Sequence, residues 1–444
     1  MKSFIASLTV GLLLFLASFA HSGAPSDRGL TLGDAVEFAL KNSPVLSAAR
    51  MDVNASDYGI KASRGRLFPQ ITGYAGYDRK SDPVVVVPIK AFGGKPPTFS
   101  RDQYRAGLSL VIPIYEGGKL WSQLDMARFA KEMAAHTLSF TRQDLIANIT
   151  NVFNQVLYLK ELVESQEETL TALKKARADA AEKLKVGRLA PVDLMRMDTQ
   201  VAQQEQDLIT SKENRRRALY ALTLLMGWNR KQFPEVAGKL KASKIPVLST
   251  QPEELVKKAW AQRPDIQAMD AAVKKAEAEL KLARGGHLPN LDIVGDYSRH
   301  AGSGLHSDEE VWTGGLALSI NIFSGGTVSA QIGEAASRLV AQQHRLINEK
   351  LKVRRQVLDA LSNLHEARHR LLVAETAKRT AQETYRIEQL RYDTGAGTIT
   401  DSLLAQAAWQ QALANEIGAR YAFEKALVDL RFAMGEIESR WIKR

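Results

Sequence analysis

The 444-residue chain contains no cysteine. That absence removes disulfides, thiolate metal centres and cysteine nucleophiles, and with them a lipid-modified cysteine at an exported N-terminus. A second absence is local. From Lys119 to Lys185 there is neither glycine nor proline, the residues that most readily break a helix. A third concerns apolar runs: beyond the first twenty or so residues no stretch is long and apolar enough to cross a bilayer as a helix. Basic residues outnumber acidic ones by 60 to 49 but are scattered along the chain. A dispersed excess marks solvated helical faces, and no nucleic-acid partner is expected.

What is present begins with an export signal. Lys2 supplies the positive charge, Phe4 to Phe19 the apolar stretch, and Ser18-Phe19-Ala20 or Ser22-Gly23-Ala24 a small-residue cleavage site. Residues 1–20 are read as the signal, with cleavage as late as 24. An exported chain without an apolar helix belongs in the periplasm, outside the cell, or in an outer membrane crossed by strands.

In the stretch free of glycine and proline, Leu145, Ile149, Val152, Val156, Leu159 and Val163 recur at alternating steps of four and three. This is the seam of a helix packed lengthwise on another. An unbroken helix over the 67 residues 119–185 would be about 100 Å long. The rod occurs twice. Adding 208 to each seam position reaches Val353, Val357, Ala360, Leu364, Ala367 and Leu371, all apolar. Flanking landmarks repeat at the same offset: Pro113-Ile114-Tyr115-Glu116-Gly117-Gly118 answers to Asn321-Ile322-Phe323-Ser324-Gly325-Gly326, Val186-Gly187 to Thr394-Gly395, Asp193 to Asp401, and Leu225-Met226-Gly227 to Ala433-Met434-Gly435. Upstream the offset is 220, with Asn42-Ser43-Pro44 against Gln262-Arg263-Pro264. The chain is a tandem duplication of one supersecondary unit.

Each unit also carries strands. Tyr104, Ala106, Leu108, Leu110, Ile112 and Ile114 alternate with Arg105, Gly107, Ser109 and Val111. At +208 the apolar set becomes Trp312, Gly314, Leu316, Leu318, Ile320 and Ile322, opposite Thr313, Gly315, Ala317 and Ser319. About ten alternating residues with one apolar face and small or polar residues opposite suit a transmembrane β-strand. Leu108, Leu110, Ile112, Leu316, Leu318 and Ile320 are therefore the expected lipid-facing residues. The competing reading is a soluble periplasmic coiled-coil scaffold with its hairpins packed on a soluble core. A proline-rich loop is expected from Ser81 to Ser100, and a capping box at Thr250 and Glu253.

The expected plan is a first unit over 30–228 (hairpin 69–115, long helix 119–185, helix 191–226) and a linker over 229–251. A second unit covers 252–435 (hairpin 289–323, long helix 327–393, helix 401–434), and 436–444 form a tail. The fold class is mainly α with a membrane β-barrel portion. Four strands cannot close a barrel and an open edge cannot sit in lipid, so several chains must pool their strands.

In motif order and duplication the chain resembles the outer-membrane efflux protein family, the TolC-like exit ducts. The Asn-Ser-Pro at 42–44, Leu-Phe-Pro at 67–69, Pro-Ile-Tyr-Glu-Gly-Gly at 113–118, the Val-Gly…Asp turns and the Leu-Met-Gly at 225–227 carry the resemblance. It implies a homotrimer with a twelve-stranded outer-membrane barrel continued by a periplasmic α-barrel. It further implies a periplasmic adaptor and an inner-membrane pump as partners, passive passage of cargo, and no cofactor. The turns Val186–Asp193 and Thr394–Asp401 become the periplasmic tips, with Val186, Gly187, Arg188, Leu189, Thr394 and Gly395 as adaptor contacts. Asp401 resembles an aperture carboxylate, and Tyr392 and Asp193 resemble members of the set that holds the aperture closed. Two positions depart from the pattern: Leu404 stands where a second carboxylate ring would be, and Gly397 where the closing arginine would be. Arg188 is the candidate substitute.

One motif points elsewhere. His365-Glu366-Ala367-Arg368-His369 has the H-E-x-x-H spacing of a zinc hydrolase helix. Ala367 is a seam position, however, and Glu383 and Glu388 lie about 20–30 Å farther along the rod, too far to complete a metal site. No enzymatic activity is expected.

Overall fold

The computed structural model describes residues 29–87, 98–229, 233–240, 251–303 and 309–437. The expected signal, part of the linker and most of the tail lie outside the described residues. Helix α1 (Leu32–Asn42) opens on a capping box: the Thr31 hydroxyl accepts from the Asp34 N–H at 3.3 Å, and the Asp34 carboxylate accepts from the Thr31 N–H at 3.2 Å. Ser43 is extended, and Pro44 at the first helical position starts α2 (Pro44–Gly65). Strands β1 (Gln70–Val85) and β2 (Phe99–Glu116) follow, then α3 (Lys119–Lys185) and α4 (Pro191–Met226). The second unit repeats this with α5 (Pro252–Gln262), α6 (Pro264–Arg284), a 3-10 turn at Gly285–His287, β3 (Asn290–Ala301), β4 (Glu309–Ser319), α7 (Thr327–Asp393) and α8 (Ile399–Ala433).

Three boundaries differ from expectation, each for a local reason. Strand β1 runs to Val85, past the expected loop start, because Pro83 falls in a register irregularity of an edge strand and breaks no ladder bond there. Strand β4 stops at Ser319, so Ile320 lies beyond the sheet; β3, which pairs with β4, begins at Asn290. Helix α8 starts at Ile399, since the Thr398 hydroxyl caps it by accepting from the Asp401 N–H. Helix α5 starts at Pro252, with Gln251 before it and proline at its first position; Thr250 of the expected capping box lies outside the described residues.

The strands form one antiparallel sheet in the order β1-β2-β3-β4, with β1 and β4 as its edges. A bulge at Ile114 shifts Tyr115 opposite Leu291 and interrupts the alternation there. At the sheet–rod junction Gly117 has φ 60°, and a Cβ on it would stand 2.6 Å from the Gly285 carbonyl oxygen, so the two units touch backbone to backbone.

The core is divided between the rods. Leu145, Ile149, Val156 and Leu159 are buried against α1 and α4, together with Leu30, Val236 and Leu240. All six seam positions of α7, from Val353 to Leu371, are buried against α5 and α8. Helix α3 has α2 and α6 as neighbours near the sheet, and α4 and α8 nearer the turns. Around the waist, Leu30 pairs in parallel with Val236, through Leu30 N–H to Glu235 O at 2.7 Å and Ala237 N–H to Leu30 O at 2.9 Å.

Candidate functional site: the paired turns and the exposed sheet face

Both rods end in the same way. Gly187 (φ 73°) and Gly395 (φ 76°) adopt the left-handed conformation, and the next residue folds back on the last turn: Arg188 N–H to Lys183 O and Ala396 N–H to Arg391 O, each 2.8 Å. Val186, Gly187, Arg188, Thr394 and Gly395 are exposed, whereas Leu189 turns inward. It packs with Leu194, Tyr392 and Leu403 around buried Ala180, Met197 and Ile399, an apolar plug that joins the two turns.

The carboxylates divide their work. Asp401 is exposed; its N–H donates to the Thr398 hydroxyl that caps α8, and its Oδ2 accepts from the same hydroxyl at 2.7 Å. Asp193 accepts from Arg196 Nη1 at 3.1 Å, and the same nitrogen donates to Thr400 Oγ1 at 2.7 Å. Arg196 thus ties the first turn of α4 to the first turn of α8. Tyr392 lies under the Lys183 ammonium, 4.8 Å from the ring centroid, which links α7 to α3. Arg188 is exposed. The arginine that bridges the turns is Arg196, which sequence reasoning missed. Its signal was the Asp193-x-x-Arg196 spacing, which alone reads as an ordinary ion pair within one helix. Gly397 has a packing reason of its own: a Cβ there would meet Arg391 Cβ at 3.0 Å. An arginine at that position would require a looser turn.

At the other end, sheet register places Ile71, Leu110 and Gly295 in one row, and Ile112, Ile293 and Leu316 in another. Leu108, Leu316 and Leu318 are strongly exposed, Leu110 and Ile112 partly so. The opposite face carries Thr72, Tyr74, Ser109, Asp292, Asp296 and Thr313, with the Tyr74 hydroxyl donating to Asp296 at 2.8 Å. One face is apolar without cover and the other polar, and both edges are open. This is one segment of a transmembrane barrel.

His365, Glu366 and His369 are exposed on α7 with Ala367 buried beneath them, and no group of three metal-ligating side chains occurs among the described residues.

A strand quartet of this kind mounted on two duplicated rods that end in paired turns defines a channel-forming outer-membrane protein. The chain belongs to the outer membrane efflux protein family, whose model matches residues 35–228 and 255–436. It is 23% identical over 412 residues to outer membrane protein TolC of Vibrio cholerae, covering 90% of each chain. It is 25% identical over 396 residues to the cobalt-zinc-cadmium resistance protein CzcC of Cupriavidus metallidurans, covering 88% of this chain and 86% of that one. In fold it resembles the CmeC outer membrane channel of Campylobacter jejuni, with a TM-score of 0.79 at 20% identity over 92% of this chain and 88% of the other. The protein is an outer-membrane efflux channel and not an enzyme, and the H-E-x-x-H spacing is a coincidence of helix composition.

Proposed function

We propose that three copies pool their sheets into a twelve-stranded barrel in the outer membrane of a Gram-negative bacterium. Their rods extend from it into the periplasm as a helical tube. The duct is the passive exit of a tripartite system: an inner-membrane pump delivers cargo through a periplasmic adaptor that meets the exposed turn residues Val186, Gly187, Arg188, Thr394 and Gly395. No lipid anchor holds it, since there is no cysteine to carry one. The observation that carries this reading is the four-stranded sheet, apolar on one face, polar on the other and open at both edges. Such a sheet cannot enter lipid until other copies close it.

The paired turns form the resting aperture. Asp401 contributes one carboxylate per copy to its rim. Arg196, Asp193 and Thr400 hold α8 to α4, and the Lys183–Tyr392 stack holds α7 to α3. The test is the mature protein purified from outer membranes. It should need detergent for extraction, migrate as a trimer until heated, and form cation-selective pores in planar bilayers. Recovery from the aqueous periplasmic fraction would instead support the coiled-coil scaffold.

A further inference from the structure

The apolar face of the sheet changes character along its length. Register aligns Leu108 with Tyr297 and Trp312, then Ala106 with Ala75 and Arg299, then Tyr104 with Tyr77 and Ala301. By alternation these rows share the face of Leu110 and step away from the rods. The short alanines leave a recess of about 610 Å³ there, bounded by Tyr77, Tyr104 and Arg299. The two tyrosine rings lie 4.9 Å apart, and the Tyr77 hydroxyl donates to Asp102 at 2.9 Å, which holds the platform in place. Arg299 pairs with Glu310 at 2.7 Å while its side chain stays 56% exposed. The height of the recess follows from strand geometry. With Leu110 near the bilayer midplane, a rise of about 3.3 Å per residue and a tilt of roughly 40° put the Ala106 row about 10 Å above it and the Tyr104 row about 15 Å. An apolar band about 25 Å tall ends between those two rows. The recess therefore straddles the outer boundary of the hydrocarbon.

We propose that this recess is a specific site for a phosphorylated glycolipid of the outer leaflet. Its sugar rests on Tyr77 and Tyr104, its phosphate meets Arg299, and its chains run down past Leu108 and Trp312. The proposal rests on the membrane-inserted reading above and assigns one lipid class to one place on the barrel. The chemistry selects the occupant in three parts. Aromatic faces carry partial negative charge and attract the C–H groups of a sugar ring. A guanidinium presents a planar fork of N–H donors that matches phosphate oxygens. Trp312 is 74% exposed and Leu108 54%, an apolar track continuous with the recess on its midplane side. A soluble sugar phosphate would leave that track uncovered, and a phospholipid without a sugar would leave the ring pair uncovered. Glu310 balances the charge of Arg299, so the site discriminates by ring stacking and fork geometry and not by general attraction for anions.

The test is native mass spectrometry of the full-length protein in detergent, titrated with purified diphosphorylated lipid A. One lipid should be retained per copy of the chain. Dephosphorylated lipid A and phosphatidylglycerol should each bind several-fold more weakly. Arg299→Gln should erase the preference for the phosphorylated form, and Tyr77→Ala the preference for lipid A over phosphatidylglycerol. Tyr77→Phe keeps the ring and should bind as the parent does. Ala106→Trp fills the recess with Tyr77 and Arg299 still in place, and should abolish retention. Arg66→Gln removes a charge at the rod end of the sheet, where Arg66 donates to Gln123, and should change nothing. Equal retention of lipid A and phosphatidylglycerol by the parent, or a preference that survives both Arg299→Gln and Ala106→Trp, overturns the site while leaving the inserted barrel intact. Free glucosamine 1-phosphate binding as tightly as lipid A would overturn the lipid assignment. Recovery of the protein without detergent overturns the membrane reading itself.

Discussion

At the scale of single residues, Asp401 has an observed place at a helix start and a proposed place at the pore, and the two can be tested apart. Asp401 is tied to Thr398, so Asp401→Asn should weaken the start of α8 by only about 0.5–1 kcal/mol. Its charge matters more. In the proposed trimer, three Asp401 carboxylates would ring the aperture and attract cations, and Leu404 would supply no second ring to compensate. Asp401→Asn should therefore reduce cation selectivity and divalent block in planar bilayers while the trimer stays intact. Unchanged selectivity in a well-formed pore would remove Asp401 from the rim. Arg196→Ala tests the latch separately. Asp193 and Arg196 are partly or well exposed, so the pair contributes at most about 1 kcal/mol to stability. If it holds the turns together, resting conductance should rise several-fold with an almost unchanged melting temperature. A loss of stability without any rise in conductance would make Arg196 merely structural.

At the scale of elements, depth and burial decide the cost of a substitution. Leu110 pairs with Ile71 and Gly295 within the sheet, whereas Leu318 pairs with Leu291 one row from its end. Leu110→Arg should cost about 2–4 kcal/mol near the bilayer midplane, and Leu318→Arg no more than about 1 kcal/mol near the interface. Ser109→Arg, on the polar face, should be tolerated. Refolding into bilayers followed by denaturant titration measures all three, and equal costs would mean that the faces are misassigned. A second element-scale prediction concerns the α5–α6 elbow. Arg263, 3% exposed, donates to Asp265, to Gln356 and to the Ala433 carbonyl oxygen, locking the elbow to α7 and α8. Ser43 occupies the equivalent place in the first unit, so the lock is specific to the second. Arg263→Ala leaves Asp265 unpaired beside a cavity and should cost about 3–5 kcal/mol, read as a drop in thermal stability.

At the scale of the whole molecule, the waist joins the two halves. Arg420 on α8 donates to Glu161 on α3 and to the Leu240 carbonyl oxygen, both at 3.0 Å, while Glu161 accepts from the Leu240 N–H at 2.8 Å. Burial works against the Arg420 charge, but the Glu416 and Glu161 carboxylates outweigh it and keep the guanidinium firmly protonated. Arg420→Leu should release the segment around Leu240, cost about 3 kcal/mol, and open that segment to limited proteolysis before the rods unfold. Resistance equal to that of the parent protein would show that apolar packing alone holds the waist.

Periodicity made the rods legible, because only a helix packed lengthwise requires apolar residues at alternating steps of three and four over such a length, and α3 and α7 span 67 residues each. The offset of 208 likewise announced two equivalent turns, since glycine in a left-handed cap followed by a new helix start is written locally in Val186-Gly187 and Thr394-Gly395. Strand alternation identified the face of Leu108 and Leu110 but not where pairing stops. Ile320 was misplaced because its status depends on where β3 begins, a partner remote in sequence. The bridge from Arg196 to Thr400 was illegible for the same reason: it spans 204 positions, and helix–helix placement, not local spacing, brings the two side chains to 2.7 Å. Local chemistry and period thus determined the elements, the duplication and the kind of surface each presents. Only the tertiary structure decided which elements lie side by side, and so which charges meet and which faces remain uncovered, because those depend on the packing of residues far apart in the chain.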